Sequence, residues 1–270
     1  CGIAEQHMVS CSGGFSLSGL IPFCSTFGAF MTSRAKDQAR VNDINRTNVK
    51  MVSTHCGLSV GEDGPTHQVI DDLGSFAGFF HTALLEPSDP NLCDHMIRFV
   101  GATYGNYYVR MGRSKIPVIT KSDGSAFYDE HYRFQLGKAD LIRQGDGVTV
   151  FAAGPMVSFV LELMENDKDL NDIELICLNS LSHLDSDLMR KSLLKTGKAL
   201  ILEDHNPKTG YGQAIAAFIG QHQLRVKLLQ MGVSEYQLSG KAEELYVKAG
   251  LGPSDIKRSL LTLKKTVSSV

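Results

Sequence analysis

Val49-Lys50-Met51-Val52-Ser53-Thr54-His55-Cys56-Gly57-Leu58-Ser59-Val60-Gly61-Glu62-Asp63-Gly64-Pro65-Thr66-His67-Gln68 is the stretch on which the fold turns. Residues 49–53 predict a strand, residues 55–64 a glycine-rich loop, and residues 69–79 a helix. Strand, loop and helix in that order form the unit of a parallel α/β sheet. Such sheets hold ligands beyond the carboxyl ends of their strands, and loops there carry function. Two histidines and two acids crowd this loop, so His55, Glu62, Asp63 and His67 are functional candidates from position alone.

The alternation extends in both directions. Upstream, residues 2–17 predict a small-residue helix, and residues 21–23 a short strand ended by the polar pair Ser25/Thr26. Residues 27–44 predict one helix, with Phe27, Phe30, Met31, Ala35, Ala39 and Ile44 at helical spacing. Downstream come a strand at 83–86, a helix at 89–104 with Ser88 as its N-cap, and a strand at 107–110. Residues 111–140 are polar and aperiodic and predict a crossing between domains. Strands at 148–153, 173–178, 199–203 and 226–229 then alternate with helices at 156–165, 185–195 and 212–220, before a helical tail from Lys241. The expectation is an α/β chain of two domains, residues 1–120 and 136–270, each a mainly parallel sheet flanked by helices.

Composition narrows the function classes. The chain has 270 residues, with 43% hydrophobic and 21% charged, which excludes a disordered polymer. Its 27 basic and 29 acidic side chains leave a net charge of −2, so no global field favours a nucleic acid. Six cysteines at irregular spacing, with no CxxC, argue for free thiols in a reducing, cytoplasmic compartment rather than a zinc site. No basic segment followed by an apolar one marks a secretory signal. Residues 8–33 lack any charge over a membrane-spanning length, but eight Ser/Thr, four Gly and Pro22 fit a buried helix, turn and strand better, so no membrane partner is expected.

Three short motifs read as ordinary turns. Gly57-Leu58-Ser59-Val60-Gly61 matches the hydrolase pattern GxSxG, yet Ser59 lies mid-loop instead of on a strand-to-helix elbow. Gly210-Tyr211-Gly212 is half a dinucleotide fingerprint and reads as the opening of a helix. Gly145-Asp146-Gly147, with Asn171 after it, has the look of a diphosphate–magnesium signature, but it precedes its strand instead of following it.

The amino-terminal third holds the remaining candidates. Glu5, in Gly2-Ile3-Ala4-Glu5-Gln6, reads either as a first-turn glutamate favoured by the helix dipole or as a functional acid. Phe27 and Phe30 share one helical face and read as core packing or as a binding wall. Taken together, Gly2–Gln6, Ser25-Thr26-Phe27 and Gly61-Glu62-Asp63-Gly64-Pro65-Thr66-His67-Gln68, in this order and spacing, resemble the transketolases. Tyr108-Val109-Arg110-Met111-Gly112-Arg113 and Leu202-Glu203-Asp204-His205-Asn206 fit the same family.

The resemblance implies a pyrimidine-binding domain, without its first strand–helix–strand, followed by the family's C-terminal domain. It implies thiamine diphosphate as cofactor, with Mg²⁺ (or Ca²⁺) held by a partner chain that carries the diphosphate domain, and no metal ligand here. The expected reaction is transfer of a two-carbon ketol unit between sugar phosphates, in a self-associating or mixed assembly. By resemblance, Glu5 meets the cofactor's pyrimidine, and Phe27 and Phe30 wall it, with Ser33 where the family often has a third aromatic. His55 and Arg113 take the substrate phosphate, Asp63 and His67 face its hydroxyls, and Glu5 and His67 are the catalytic pair. A carboxyl in the apolar, uncharged stretch around Glu5 is expected to keep its proton near neutrality. A deoxyxylulose-phosphate synthase-like enzyme and a non-catalytic assembly or regulatory subunit of the same fold stay open as alternatives.

Overall fold

The computed structural model describes residues 1–266. The first half runs α1 (Glu5–Leu17), β1 (Phe23–Phe27), α2 (Gly28–Ser33), α3 (Lys36–Ile44), β2 (Lys50–Thr54), a 3₁₀ segment (Leu58–Asp63), α4 (Asp72–Phe76), β3 (Thr82–Leu85), α5 (Pro90–Ala102) and β4 (Asn106–Arg110). The second runs β5 (Asp140–Arg143), β6 (Val148–Ala152), α6 (Met156–Asn166), a 3₁₀ turn (Lys168–Leu170), β7 (Ile173–Cys177), α7 (Ser186–Thr196), β8 (Lys198–Leu202), α8 (Tyr211–Gln221), β9 (Lys227–Met231), α9 (Ala242–Lys248) and α10 (Pro253–Lys265). The first sheet has strand order β1-β2-β4-β3, all parallel; the second has order β5-β7-β6-β8-β9, parallel except for β5. This is the expected α/β class.

The second sheet's central strands are mainly apolar, with Thr149 and Glu174 the buried exceptions on β6 and β7, because a parallel sheet covered by helices is buried on both faces. All five residues of both β6 and β7 are buried. The two sheets share core. Leu58 and Val109 from the first half belong to one apolar cluster with Val150 and Leu202 from the second. Backbone bonds stitch the sheets as well: Glu86 N donates to Asn179 O at 3.1 Å and Leu181 N to Leu84 O at 3.2 Å.

Several element boundaries differ from expectation, each for a local reason. β1 runs through Ser25 and Thr26, because the parallel ladder to β2 pairs them with Val52 and Ser53 whatever their polarity. The single helix expected over residues 27–44 is two. Thr32 Oγ1 and Ser33 Oγ donate to the carbonyls of Gly28 and Ala29 four residues back, a pattern that bends helices. The helix expected from residue 69 starts at Asp72, because Val69 O and Ile70 O accept from Gly57 N and Asn206 N. The N-cap of α5 is Asp89, not Ser88: its Oδ1 accepts from Asn91 N and Leu92 N at 2.6 and 2.9 Å. The strand β5 was not expected, and it pairs antiparallel with β7 inside the segment adjoining the crossing. The tail from Lys241 is two helices.

The turn readings hold. Asp146 N and Gly147 N donate to Asp172 O at the amino end of β6. A Cβ on Gly145 would run into the backbone of residues 172–174, so close approach explains that glycine. Among the described residues no helix is long and apolar enough to cross a membrane.

Asp89 does more than cap: its Oδ2 accepts from Ile119 N at 2.5 Å, tying the irregular crossing to α5. Asp89→Ala is expected to cost ~2–3 kcal/mol through the lost cap and the unsatisfied N–H groups. Ser88→Ala should cost less than half of that. Denaturant melts of the two variants check it, and equal losses would refute the cap assignment.

Candidate functional site

β2 delivers its chain to the site through a strained turn. His55, directly after the strand, has φ of 58°, a left-handed conformation that bulky residues rarely adopt and that collects at functional sites. There its ring stacks on Phe27 from the end of β1, with centroids 3.8 Å apart and planes 12° off parallel. Phe27 stacks in turn with Phe30 at 5.8 Å and 4°. His67 meets both phenylalanines edge-on, at 6.0 and 5.2 Å. Thus the end of β1, α2 and the segment between β2 and α4 present one aromatic cluster with two imidazoles in it.

The charged candidates flank this cluster. Arg113 Nη1 donates to Val60 O at 2.6 Å and lies 3.8 Å from Asp63 and 3.7 Å from Glu62. Burial first, then the positive charge of Arg113, holds His55 below the usual imidazole range, against the pull of Asp63. Near neutral pH His55 is therefore an uncharged donor or acceptor. Glu5 sits at the start of α1, largely buried, and its expected isolation from charge is contradicted. Arg34 Nη1 lies 3.2 and 3.4 Å from its two carboxylate oxygens. The same guanidinium lies over Phe30, 4.1 Å from the ring centroid. Arg34 so links Glu5 to the aromatic cluster. The expectation failed because Arg34 lies one residue beyond the uncharged stretch, and the break between α2 and α3 is what turns it back.

The second half of the chain builds the floor of the site. Asp204 accepts from Leu58 N through both oxygens, at 3.0 and 3.1 Å. Gly57 must be glycine: its φ is 76°, and a Cβ would collide with the Asp204 carboxylate. Ser239 Oγ donates to Glu62 O at 2.5 Å, and Gln68 Nε2 reaches both Gly61 O and Leu238 O. Sequence reasoning missed Arg34 and Ser239, and it noted Asp204 only as part of a family segment. Ser59 is no nucleophile. It lies in the 3₁₀ segment, buried, with its Oγ accepting from Arg113 N at 2.9 Å. Gly210 and Tyr211 open α8 over a carboxylate, Glu203, which accepts from Tyr211 N and Gly212 N at 2.8 Å each.

Two family models match the chain: the transketolase pyrimidine-binding domain over residues 1–118 and the transketolase C-terminal domain over residues 137–256. A Methanocaldococcus jannaschii protein named for a transketolase C-terminal section is 32% identical over 98% of this chain and 82% of its own length. The chain belongs to the transketolase family. Transketolase-like protein 2 of Mus musculus is 35% identical over 99% of this chain, which spans only 41% of that protein. The solved structure of a split-gene transketolase, titled an inactive β4 tetramer, superposes with a TM-score of 0.84 at 28% identity, covering 98% of this chain and 83% of that one. Among the described residues no three His, Cys, Asp or Glu side chains converge as a metal site.

Beneath the site lies a buried charge network. Arg110, at the end of β4, donates from Nε to Asp72, from Nη1 to Glu86 at 2.5 Å and from Nη2 to Asp204 O at 2.7 Å. Burial, partly offset by Arg110, pushes Glu86 up to about 7 and Asp204 to about 6. Burial pushes Glu203 up to about 8 against its two backbone donors, and pushes His205 down to about 4. The three carboxyls keep protons in the folded chain that the unfolded chain has lost by pH ~5, so each destabilises as pH rises through its folded value. His205 has the opposite sign, but its effect is complete once the unfolded imidazole has titrated near pH ~6.5. Between pH ~6.5 and ~8 Glu86 and Glu203 dominate the change, partly offset by Lys50, which burial lowers to about 8 and which acts with the opposite sign, so stability should fall by ~1–2 kcal/mol. Urea melts at the two ends of that window check it; Glu203→Gln should flatten the decline, and a rise with pH would refute the network's charge balance.

Proposed function

We propose that this chain is the pyrimidine-binding and C-terminal part of a transketolase, moving a two-carbon ketol unit from a ketose phosphate to an aldose phosphate together with a partner chain. The observation that carries the reading is the convergence of Phe27, Phe30, His55, Asp63, His67 and Arg113 in one cluster, with Glu5 joined to it through Arg34. The family depends on thiamine diphosphate, which when bound supplies a nucleophilic carbon and its own aminopyrimidine base. The residues fit that group: a largely buried carboxyl beside half-buried, near-parallel phenyl rings suits a flat heteroaromatic ring with a basic nitrogen.

In this reading Phe27 and Phe30 orient the pyrimidine, and Glu5 holds a proton toward its ring nitrogen, for which the ion pair with Arg34 has to open. His67 moves protons at the substrate hydroxyl nearest the reacting carbon, and Asp63 orients that hydroxyl. Arg113 takes the phosphate through its guanidinium, leaving its weak, half-exposed pairing with Glu62 and Asp63, while His55 donates as a neutral imidazole. The diphosphate and Mg²⁺ are left to the partner chain. An Actinobacillus succinogenes protein, 29% identical over 97% of this chain, is named as one subunit of an apulose-4-phosphate transketolase, which supports a two-chain arrangement. One observation favours a non-catalytic role instead: Arg34 already occupies the acid.

Glu5→Gln in the assembled enzyme separates the two. Gln keeps the shape but cannot transfer a proton, so kcat should fall by ~10²–10⁴ with the melting temperature nearly unchanged. Hydrogen–deuterium exchange at the cofactor's reactive carbon should slow with it; unchanged exchange would remove Glu5 from catalysis. Arg113→Ala should raise KM for phosphorylated sugars roughly 10- to 100-fold with kcat little changed, because a charge-assisted contact is lost in ground and transition states alike. Equal losses for phosphorylated and unphosphorylated substrates would overturn the phosphate role.

A further inference from the structure

A cavity of about 540 Å³ lies between the two halves of the chain, on the far side of the loop that carries Arg113. Its size falls in the range of small-molecule sites. Three strands end at it: β3 through Glu86, β4 through Arg110 and Met111, and β6 through Gly154. β6 is also where the second sheet reverses its winding. The chain passes from β6 to β7 on one side, then from β7 across to β8 on the other. Open α/β sheets bind ligands at the carboxyl end of such a strand.

The lining is mainly apolar, with Pro87, Pro117 and Phe159 prominent, and its inner wall carries Glu86 and Asp89 beside the Arg110 guanidinium. Behind that wall Asp72, Glu86, Glu203 and Asp204 crowd a single buried guanidinium, Arg110; burial raises Glu86 to about 7 and Glu203 to about 8 and keeps His205 uncharged at neutral pH. Glu86 uses Oε1 on Arg110; its Oε2 accepts no hydrogen bond among the described residues. Gly154 makes room for it, since a Cβ there would collide with the Glu86 carboxyl. At the mouth Lys115 and Glu243, both exposed, oppose each other in charge. A carboxyl oxygen without a partner at the end of an apolar pocket calls for a donor, and a cationic one also holds Glu86 ionised, which its burial otherwise opposes.

We propose that this interdomain cavity is a second ligand site, distinct from the Glu5–Arg113 cluster, which takes a small organic cation with an apolar body and an amine or amidine head on Glu86. Its occupant sits directly behind the substrate-phosphate candidate. Ser59 and Gly112 line the cavity, and Ser59 Oγ accepts from Arg113 N. Filling the cavity therefore presses on the loop that aims Arg113. The site stands whether or not the ketol-transfer reading does.

Calorimetry and heteronuclear NMR on the full chain with benzylamine as probe test it, with benzyl alcohol and benzoate as neutral and anionic controls. Saturable binding is expected in the millimolar range, at least about tenfold tighter than either control, as a charge-assisted hydrogen bond implies. Amide shifts should centre on Glu86, Gly154 and Gly112. Cys93→Trp and Ile116→Trp both fill the cavity, from α5 and from the crossing, and each should abolish binding while keeping the native melt. Glu86→Gln should erase the preference for the amine over the alcohol. No saturable binding, a preference for benzoate, or undiminished binding in either folded tryptophan variant would overturn the proposal.

Discussion

Arg110 is the residue on which both halves of the molecule depend. Its three nitrogens reach Asp72 on α4, Glu86 after β3 and the carbonyl of Asp204 after β8, so one guanidinium joins the first sheet to the second. A charge this deeply buried is tolerated only with full pairing, and each carboxylate beside it depends on it in return. Removing the guanidinium would leave three acids facing one another without a counter-charge. The strand that carries Arg110 continues at once into Met111, Gly112 and Arg113, so the buried pairing also fixes where the exposed arginine begins.

That arrangement explains why the second half of the chain matters to a site whose side chains all come from the first. Asp204 holds Leu58 N and receives the Tyr246 hydroxyl at 2.8 Å, so one carboxylate links the site loop, β8 and α9. Ser239 and Leu238 hold the far end of the same loop. The glycines of this loop are spaced for those approaches: Gly57 passes against Asp204, and Gly61 against the backbone of Gly240. Family membership makes the partition sensible, because the matched pyrimidine-binding and C-terminal models abut across this network.

Much of this was legible in the sequence. Strands β6, β7 and β8 announced themselves as short, mainly apolar runs, because parallel strands buried on both faces need no alternation, and β2 and β4 as short β-rich runs between helical stretches. The loop candidates His55, Asp63 and His67 were legible because a strand, a glycine-rich loop and a crowd of polar residues share one stretch. What escaped depended on partners distant in sequence. β5 has four residues, and only its pairing with β7 makes it a strand. The break at Arg34 rests on hydroxyls bonding back to their own helix, which periodicity does not register. The Ser239 clamp joins residues 177 positions apart.

The Arg34–Glu5 pair gives the candidate site a closed ground state. Arg34 makes two contacts there, an ion pair with the acid and a cation–π contact with Phe30, both on the groups that the proposed function gives to a flat heteroaromatic ring. Each contact is weak. The Arg34 side chain is 44% exposed, and pairs screened to that degree are worth ~0–1 kcal/mol, with a cation–π contact adding ~0.5–1 kcal/mol. Opening the site thus subtracts only ~0.5–2 kcal/mol from the binding of any ring that displaces the guanidinium. An aromatic wall and a buried carboxyl left bare would invite solvent and self-association; a displaceable arginine covers both at small cost and leaves the stacked rings in place. Under the proposed function, the event that brings a ring to the acid is the same one that frees it from Arg34.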